Sequence, residues 1–334
     1  MSALREQWAE LGRTGVLSVG LPSRFGGQGG GPAQVWRSAR RVGKNTSDLG
    51  VSLSWVIHHL AGRFQIGKHG TDEQKAVWLP RLASGESIAA IAWEESPEGG
   101  IDATAVQDDG GRFHLQGTKI GVINAPVADL MVVGARTRTP ENPDGLSAFL
   151  VHRDTPGVLL EPAADRPFCP SSPLANVVFE DCRIPPESLL GEPGEAGSMA
   201  AEVSEQFDIL VIQVICGYLA GLLDQVTPHL RQSDASRLAL LKLRGRHMAL
   251  QTINTAIVEQ WDDRTESPSR FAAAELAARE LILLTRSDLT ELPDHPVVAA
   301  AQRDLQLIGL GWPNTRRRLL ETMRLEEAAA AVQD

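Results

Sequence analysis

The spacing of apolar residues changes twice along this chain, and these two changes constrain the fold more than any other sequence feature. Up to about residue 86 the apolar residues recur at helical spacing, as Leu4, Trp8 and Leu11 do. Between residues 87 and 190, roughly seven short runs are β-branched or alternate between apolar and polar, which is typical of strands. After a loop rich in Gly, Pro and Glu, helical spacing returns and continues to the end of the sequence.

This order predicts an α+β multidomain fold with three parts. We expect an N-terminal helical domain over 1–86, a middle β-barrel or β-sandwich domain over 87–192 and a C-terminal helical bundle over 193–334. In the first part, Thr71 is expected to cap a helix that Pro80 ends. In the second, Asp108-Asp109-Gly110-Gly111 predicts a hairpin turn. The third part is expected to contain about five helices with short connections.

Charge and cysteine content exclude several classes of protein. The chain has 32 Lys and Arg against 42 Asp and Glu, and a net charge of −10 disfavours binding to a phosphate backbone. Three scattered cysteines do not suffice for a disulfide framework or a zinc cluster, so we predict no metal. The first twelve residues carry charges throughout, unlike a signal peptide, and the uncharged run 209–223 is too short to span a bilayer. We therefore expect a cytoplasmic location and no membrane or nucleic-acid partner.

Several segments resemble the acyl-CoA dehydrogenase family, which has the same order of helices, β domain and bundle. The segments are LPSRFGGQGG, HGTDEQKAVWLPRLASGE, LQGTKIGVINAPVADLMVVGART and NVVFEDCRIPPESLLGEPGEAG. The resemblance covers nearly the whole chain. It implies FAD as cofactor, an acyl thioester of CoA or of a carrier protein as substrate, and removal of hydrogens from its Cα and Cβ.

Two flavin-binding motifs of that family have substituted counterparts here. Pro97, Gly100 and Asp102 align with the Thr-Glu-Pro-x-x-Gly-Ser-Asp motif, so Glu95 replaces its threonine and Ile101 its serine. On the following strand, Gly121-Val122-Ile123 stand at the tryptophan–isoleucine–threonine positions of the family, whose tryptophan and hydroxyl pack on the flavin. A carboxylate beside an anionic cofactor is unfavourable and isoleucine donates no hydrogen bond, so we predict that FAD binds weakly or not at all.

Two further elements of the family are also without a clear counterpart. The Arg-x-x-Phe-Gly segment after the first bundle helix has no match, although Arg231 or Arg237 could substitute for its arginine. The position of a catalytic glutamate early in that helix holds Phe207, followed by Asp208. Asp208 and Glu95 are therefore the candidate proton carriers, while capping of a helix start by Asp208 and a surface or salt-bridged Glu95 are the alternatives. Arg316-Arg317-Arg318 is interpreted as a solvated helix face or as a phosphate contact.

Three functions stay open at this point. The first is an acyl-CoA dehydrogenase-type oxidoreductase that retains an acyl-thioester site. The second is a non-redox acid/base enzyme that uses the same cavity for dehydration, isomerisation or cyclisation. The third is a non-catalytic partner subunit of an active homologue. We also predict a homo-oligomer or a heteromer, because the helix over 209–223 is apolar on all faces and a five-helix bundle would not enclose it.

Overall fold

The structure is a computed structural model of the 334-residue chain. It describes residues 2–93, 103–138, 145–229, 233–259, 261, 268–310 and 312–333. These residues form two compact units. The first comprises residues 1–31, 54–166 and 170–203, and the second comprises 32–53, 167–169 and 204–334. The three domain boundaries expected from the sequence stay a prediction.

The N-terminal part is helical, as predicted. Its helices are α1 (Ser2–Arg13), α2 (Pro32–Thr46), α3 (Leu49–His59), a π-helical segment (Leu60–Ile66), α4 (Gly67–His69) and α5 (Asp72–Ser84). Thr71 caps α5 as expected, because its hydroxyl accepts from the Gln74 N–H at 3.2 Å while the Gln74 side chain accepts from the Thr71 N–H. Pro80 does not end α5, contrary to the prediction. The helix continues to Ser84 and ends at Gly85, which takes a left-handed conformation with φ of 80°.

Two adjacent histidines at the end of α3 are completely buried. His58 accepts from the Ala89 N–H through Nδ1 at 3.1 Å, and its Nε2 lies 3.2 Å from the Leu82 carbonyl oxygen. His59 stacks on Trp55 with ring centroids 4.6 Å apart. Its two ring nitrogens have no hydrogen-bond partner within the described part of the chain. Burial lowers the pKa of His58 to about 4 and that of His59 to about 3.

The middle part is a mixed sheet. Its strands are β1 (Ala89–Ala92), β2 (Thr104–Gln107), β3 (Phe113–Ile123), β4 (Leu130–Arg138), β5 (Gly145–His152), β6 (Val158–Pro162), β7 (Leu174–Ile184) and β8 (Leu189–Leu190). Their order is β6-β7-β3-β2-β4-β5-β8, and β1 pairs with β4 beside β2. β1 and β2 run parallel to β4, and the other pairings are antiparallel.

The hairpin predicted between β2 and β3 is confirmed. The Asp108 carboxylate accepts from the N–H groups of Gly110 and Arg112, each at 2.9 Å. Gly111 supplies the left-handed conformation that the turn needs, with φ of 78°. The apolar sides of the strands form a core cluster around residues such as Phe113, Phe149 and Phe179.

The C-terminal part is a helical bundle, as predicted. Its helices are α6 (Ala196–Val226), α7 (Asp234–Glu259), α8 (Pro268–Asp288), α9 (Pro296–Asp304) and α10 (Trp312–Gln333). α2 packs on α6 with backbone contact, because a Cβ on Gly43 would lie 2.0 Å from the Val214 carbonyl oxygen and one on Gly217 would lie 1.9 Å from that of Arg40. Only glycine permits this approach.

The apolar run within α6 is buried, which corrects one step of the sequence argument. Residues such as Ile209, Ile212 and Ile215 have no exposed surface, so the chain itself covers the helix that we expected a partner to cover. By length and composition α6 could cross a bilayer, but most of its apolar stretch is buried, as in the core helix of a globular protein. Self-association of this chain would therefore use a surface other than the apolar run of α6.

Lowering the pH from about 6.5 towards 4 is expected to destabilise the fold, because the unfolded chain binds protons that buried His58 and His59 do not. Above pH 6.5 the histidines are neutral in both states and their full contribution to stability is present. Between about pH 4 and pH 6.5, each histidine should lower the free energy of unfolding by about 1.4 kcal/mol for each unit by which the pH falls. Urea denaturation over this pH range measures the slope.

The His59→Phe variant tests this origin, because phenylalanine preserves an aromatic ring beside Trp55 and does not titrate. Its stability should depend less steeply on pH, by about 1.4 kcal/mol per unit. His229→Gln is the control, since His229 is exposed and its replacement should leave the slope unchanged. Equal slopes for the wild type and His59→Phe would contradict the prediction.

Candidate functional site

The two described positions that align with the family's flavin strand lie at the end of β3. Val122 is buried in the core cluster of the sheet and Ile123 is almost as buried. The pairing of β3 with β7 is irregular between Lys119 and Val122, where Gly121 has a φ of 59°. The Gly121 N–H donates to the Asn176 side-chain oxygen at 3.0 Å. This strand end therefore presents two apolar side chains, neither of which carries a hydrogen-bonding group.

The residues that flank these positions hold the strand end in place. Lys119 is fully buried, and its ammonium group donates to the Trp93 carbonyl oxygen at 3.2 Å. Asn124 has a φ of 71°, and its amide donates to the carbonyl oxygens of Ser54 at 2.9 Å and Ala89 at 3.1 Å. β1, α3 and the end of β3 are thereby fixed to one another.

Another part of the predicted site lies outside the described residues. This applies to four of the predicted positions, namely Glu95, Pro97, Gly100 and Ile101. Trp93 is the last described residue before them, and its indole N–H is buried with no hydrogen-bond partner among the described residues.

FAD needs several donors for its diphosphate and a polar surround for its ring system. At the described flavin positions this chain supplies the apolar side chains of Val122 and Ile123. These two side chains supply no hydrogen-bonding group, and whether the chain binds FAD stays a prediction.

Asp208, the candidate proton carrier, lies in a buried network of four charged side chains from α6, α8 and α10. Its carboxylate accepts from Arg279, from Arg318 at 2.9 Å and from the Thr315 hydroxyl at 2.8 and 2.9 Å. Glu275 accepts from Arg318 at 2.7 Å and from Arg279 at 3.4 Å. Two carboxylates thus neutralise two guanidinium groups. We call these five residues the bundle network.

Burial and pairing act in opposite directions on the charges of the bundle network. Burial raises the pKa of Glu275, and the positive charge of Arg318 opposes that rise. Burial would lower the pKa of Arg318, but the Glu275 and Asp208 carboxylates outweigh it, so this pKa lies above its usual value. Arg279 also donates to the Ile308 carbonyl oxygen at 2.7 Å. The arrangement is therefore a buried ion-pair cluster of two carboxylates and two guanidinium groups.

The structure rules out one of the roles that the sequence left open for Asp208 and shows where the three consecutive arginines lie. Helix capping by Asp208 is wrong, because α6 begins at Ala196 and Asp208 lies several turns inside it. Its role as a proton carrier stays a prediction, although both carboxylate oxygens are already engaged. Of the arginine run, Arg316 and Arg317 are exposed as expected, while Arg318 instead belongs to the bundle network.

The remaining sequence-derived candidates lie apart from the bundle network. Arg237 is exposed and pairs with Asp234 at 3.1 Å, while Arg231 lies outside the described residues. All three cysteines are buried, and none forms a disulfide within the described part of the chain. Among the described residues, no group of three or more potential ligands could hold a metal ion.

Comparison with known proteins identifies the family. The model of the acyl-CoA dehydrogenase N-terminal domain matches residues 2–86, and that of the middle domain matches residues 90–182. The chain is 31% identical over 255 residues to the L-prolyl-[peptidyl-carrier protein] dehydrogenase of Pseudomonas fluorescens, covering 71% of this chain and 67% of the relative. The chain belongs to the acyl-CoA dehydrogenase family.

Two further comparisons extend this result. The mitochondrial short-chain specific acyl-CoA dehydrogenase of Bos taurus is 30% identical over 287 residues, or 82% of this chain and 69% of the relative. A solved structure described as PigA with FAD and proline superposes with a TM-score of 0.84 at 22% identity, over 96% of this chain and 90% of that chain. The chain spans 67%, 56% and 69% of the length of three curated relatives that it matches.

The family resemblance and the expected fold are thus confirmed for this acyl-CoA dehydrogenase family member. The bundle network was not foreseen from the sequence. The sequence did contain a signal for it, because Glu275 and Arg279 are spaced four residues apart on the same helical face as buried Ala272, Ala278 and Ile282. Charged residues at core-facing positions require partners, and that requirement could have pointed to Asp208 and Arg318.

Asp208→Asn tests the structural role of the bundle network. Removing one carboxylate leaves two buried guanidinium groups with a single counter-charge, so the free energy of unfolding should fall by about 3–5 kcal/mol. Asp224→Asn on the same helix is the matched control, because Asp224 is exposed and its pair with Lys44 at 3.0 Å should contribute at most about 1 kcal/mol. Urea denaturation at neutral pH measures both. Similar losses in the two variants would show that the network does not stabilise the bundle.

Proposed function

We propose that this acyl-CoA dehydrogenase family member is an enzyme that acts on an acyl thioester carried by CoA or by a carrier protein. The observation that carries the proposal is the 31% identity over 255 residues to a dehydrogenase named for a prolyl group on a peptidyl carrier protein. The bovine relative is named for short-chain acyl-CoA. An acyl group in thioester linkage is the chemistry that these two substrates share. The reaction of the family is α,β-dehydrogenation with FAD.

Binding of thioesters tests the substrate class directly. Isothermal titration with butyryl-CoA and with a prolyl-loaded carrier protein should show saturable binding of at least one of them. Free CoA and the unloaded carrier protein are the controls, and they should bind at least about tenfold more weakly, which corresponds to about 1.4 kcal/mol. Equal affinity for the acylated and unacylated forms would contradict an acyl-thioester site.

Weak binding of FAD is the second part of the proposal. It is supported by Ile123, which stands where the family has a hydroxyl that packs on the flavin, and, from the sequence, by Glu95 and Ile101. A hydrogen bond to a charged group is worth about 1.5–3 kcal/mol. If three are lost and their effects add, affinity falls by about three orders of magnitude or more.

If the flavin site has been lost, two other functions follow, namely a non-redox acid/base enzyme and a non-catalytic partner subunit. The contacts of Asp208 discriminate between them. A non-redox acid/base enzyme would need a carboxylate that is free to exchange protons. Asp208 is held by two arginines and a threonine, which leaves Glu95 as its candidate. A non-catalytic partner subunit needs no such group. Because Arg279, Arg318 and Thr315 already bind the Asp208 carboxylate, the function of a partner subunit is favoured over an acid/base reaction that uses Asp208.

The visible absorption spectrum and an FAD titration test the proposed weakness of flavin binding. The purified protein should contain well under one flavin per chain, and the double variant Glu95→Thr/Ile101→Ser should bind FAD more tightly than the wild type. The matched control makes the same two kinds of replacement at exposed sites on other strands, Glu161→Thr/Val106→Ser, and should not change the affinity. Tight stoichiometric flavin in the wild type would contradict weak binding without affecting the thioester proposal.

A further inference from the structure

One half-buried arginine in the N-terminal part has donor groups that no described residue uses. Arg63 donates through Nη1 to the carbonyl oxygen of Gly20 and, at 3.1 Å, to that of Gly30. Its Nε–H is buried with no hydrogen-bond partner among the described residues, and its Nη2 donates to none of them either. On a planar guanidinium these two groups lie side by side and point the same way. We call them the Arg63 edge.

The positive charge of Arg63 has no carboxylate in ion-pair contact within the described part of the chain. Burial lowers the pKa of Arg63, and the negative charge of Glu202 opposes this only in part. The Glu202 carboxylate is already bound by Lys68 at 2.8 Å and lies 3.5 Å from the Nε2 of His69. A half-buried guanidinium therefore lies beside a carboxylate that is shared among other cations.

A second unpartnered polar side chain, His59, lies one turn before Arg63. The two residues are four positions apart, which places them on the same side of the helix. His59 is only 1% exposed, and neither of its ring nitrogens has a hydrogen-bond partner among the described residues. Burial lowers the pKa of His59, and the positive charges of His58 and Arg63 add to this effect. The imidazole is thus a neutral, buried polar group near the Arg63 edge.

The backbone on both sides of Arg63 is unusual. Arg63 lies in the π-helical segment Leu60–Ile66, and π-helical turns are rare and are frequently found at functional sites. The glycine-rich loop that Arg63 contacts is closed by its own hydrogen bonds, among them one from the Gly20 N–H to the Gly29 carbonyl oxygen at 2.7 Å. The loop and the helix are therefore each held by their own backbone bonds, and Arg63 joins them.

We propose that the Arg63 edge binds the carboxylate group of a small organic acid. A carboxylate has two coplanar acceptor oxygens at the spacing of the two N–H groups, so it forms a bidentate pair with the edge of a guanidinium. Its single negative charge balances the single positive charge of Arg63, which burial makes costly to leave unpaired. Gly30 is exposed, so the site can be reached from solvent. His59 is the buried polar group that the bound acid would lie near.

Other small ligands fit the Arg63 edge less well. A metal cation would be repelled by Arg63 and Lys68, and the edge offers donors but no acceptor. A water molecule can accept from the edge but leaves the charge of Arg63 unbalanced. Inorganic phosphate carries more than one negative charge at neutral pH, so it would bring surplus negative charge close to Glu202. A singly charged, planar anion is therefore favoured by both geometry and charge.

Proton–nitrogen NMR of the full chain tests the site with sodium acetate as the probe, at an ionic strength held constant with sodium chloride. Acetate should shift the Arg63 Nε signal, which is identified by its loss in Arg63→Lys, and the shift should saturate below about 100 mM. The backbone amide signals of Gly20 and Gly30 should shift with the same midpoint, because Arg63 binds both carbonyls. An Arg63 Nε signal that acetate leaves unchanged would overturn the proposal.

Two lysine variants test whether the two-donor edge is what binds. Arg63→Lys keeps the positive charge but removes the edge, so acetate should bind at least about tenfold more weakly by the amide signals of Gly20 and Gly30. Arg24→Lys is the matched control, because Arg24 lies in the same loop and its own donors are already paired with Asp72 at 2.6 and 3.0 Å. It should keep the affinity of the wild type. Equal affinities of the wild type and Arg63→Lys would contradict binding at the edge.

Inorganic phosphate tests the chemical class of the ligand in the same titration. It should bind the wild type at least about tenfold more weakly than acetate, which corresponds to about 1.4 kcal/mol. Phosphate binding as tight as that of acetate would overturn the assignment to a carboxylate. The titrations contain neither FAD nor a thioester, so their outcome does not depend on the proposed function.

Discussion

Contact between the backbones of α2 and α6 is the constraint on which the C-terminal bundle depends. Gly43 and Gly217 lie at this contact, and a methyl group at either position would meet a carbonyl oxygen at about 2 Å. The close approach helps to bury α6, an apolar helix that needs cover on every side. α6 then offers Gln213 and the Cys216 carbonyl to α7, which fixes the face that α7 turns to solvent. The contact at Gly43 and Gly217 therefore helps to set which face of α7 is exposed to solvent.

The positions of helices and strands could be predicted well, because they follow from the period of apolar residues. The capping box at Thr71 and the Asp108 hairpin were predictable for a related reason, since their hydrogen bonds form within four residues. Pro80 shows the limit of local reasoning. A proline lacks its own N–H bond and crowds the preceding turn, yet α5 continues through Pro80 and ends where Gly85 takes a left-handed conformation.

The site was less predictable than the fold, because its residues come from distant parts of the sequence. Val122 and Ile123 could be placed by family resemblance, and the structure buries both of them, Val122 within the core cluster of the sheet. Asp208 was the difficult case. Its neighbours in sequence indicate nothing about Arg279 and Arg318, which lie 71 and 110 residues away. Tertiary packing sets the surroundings of Asp208. The period of apolar residues predicts helices, but it does not predict which charged residues of different helices come into contact.

The composition of the bundle network has a consequence for the order in which the chain acquires its structure during synthesis. Asp208 emerges from the ribosome long before Arg318, which lies on the last helix. Until α10 is made, Asp208 and Glu275 have only Arg279 to balance them, and burying an uncompensated carboxylate is strongly unfavourable. The bundle must then stay open around α6 while the N-terminal helices and the sheet are already complete in sequence. The chain thus carries an electrostatic reason to close the bundle around α6 only after α10 has been made.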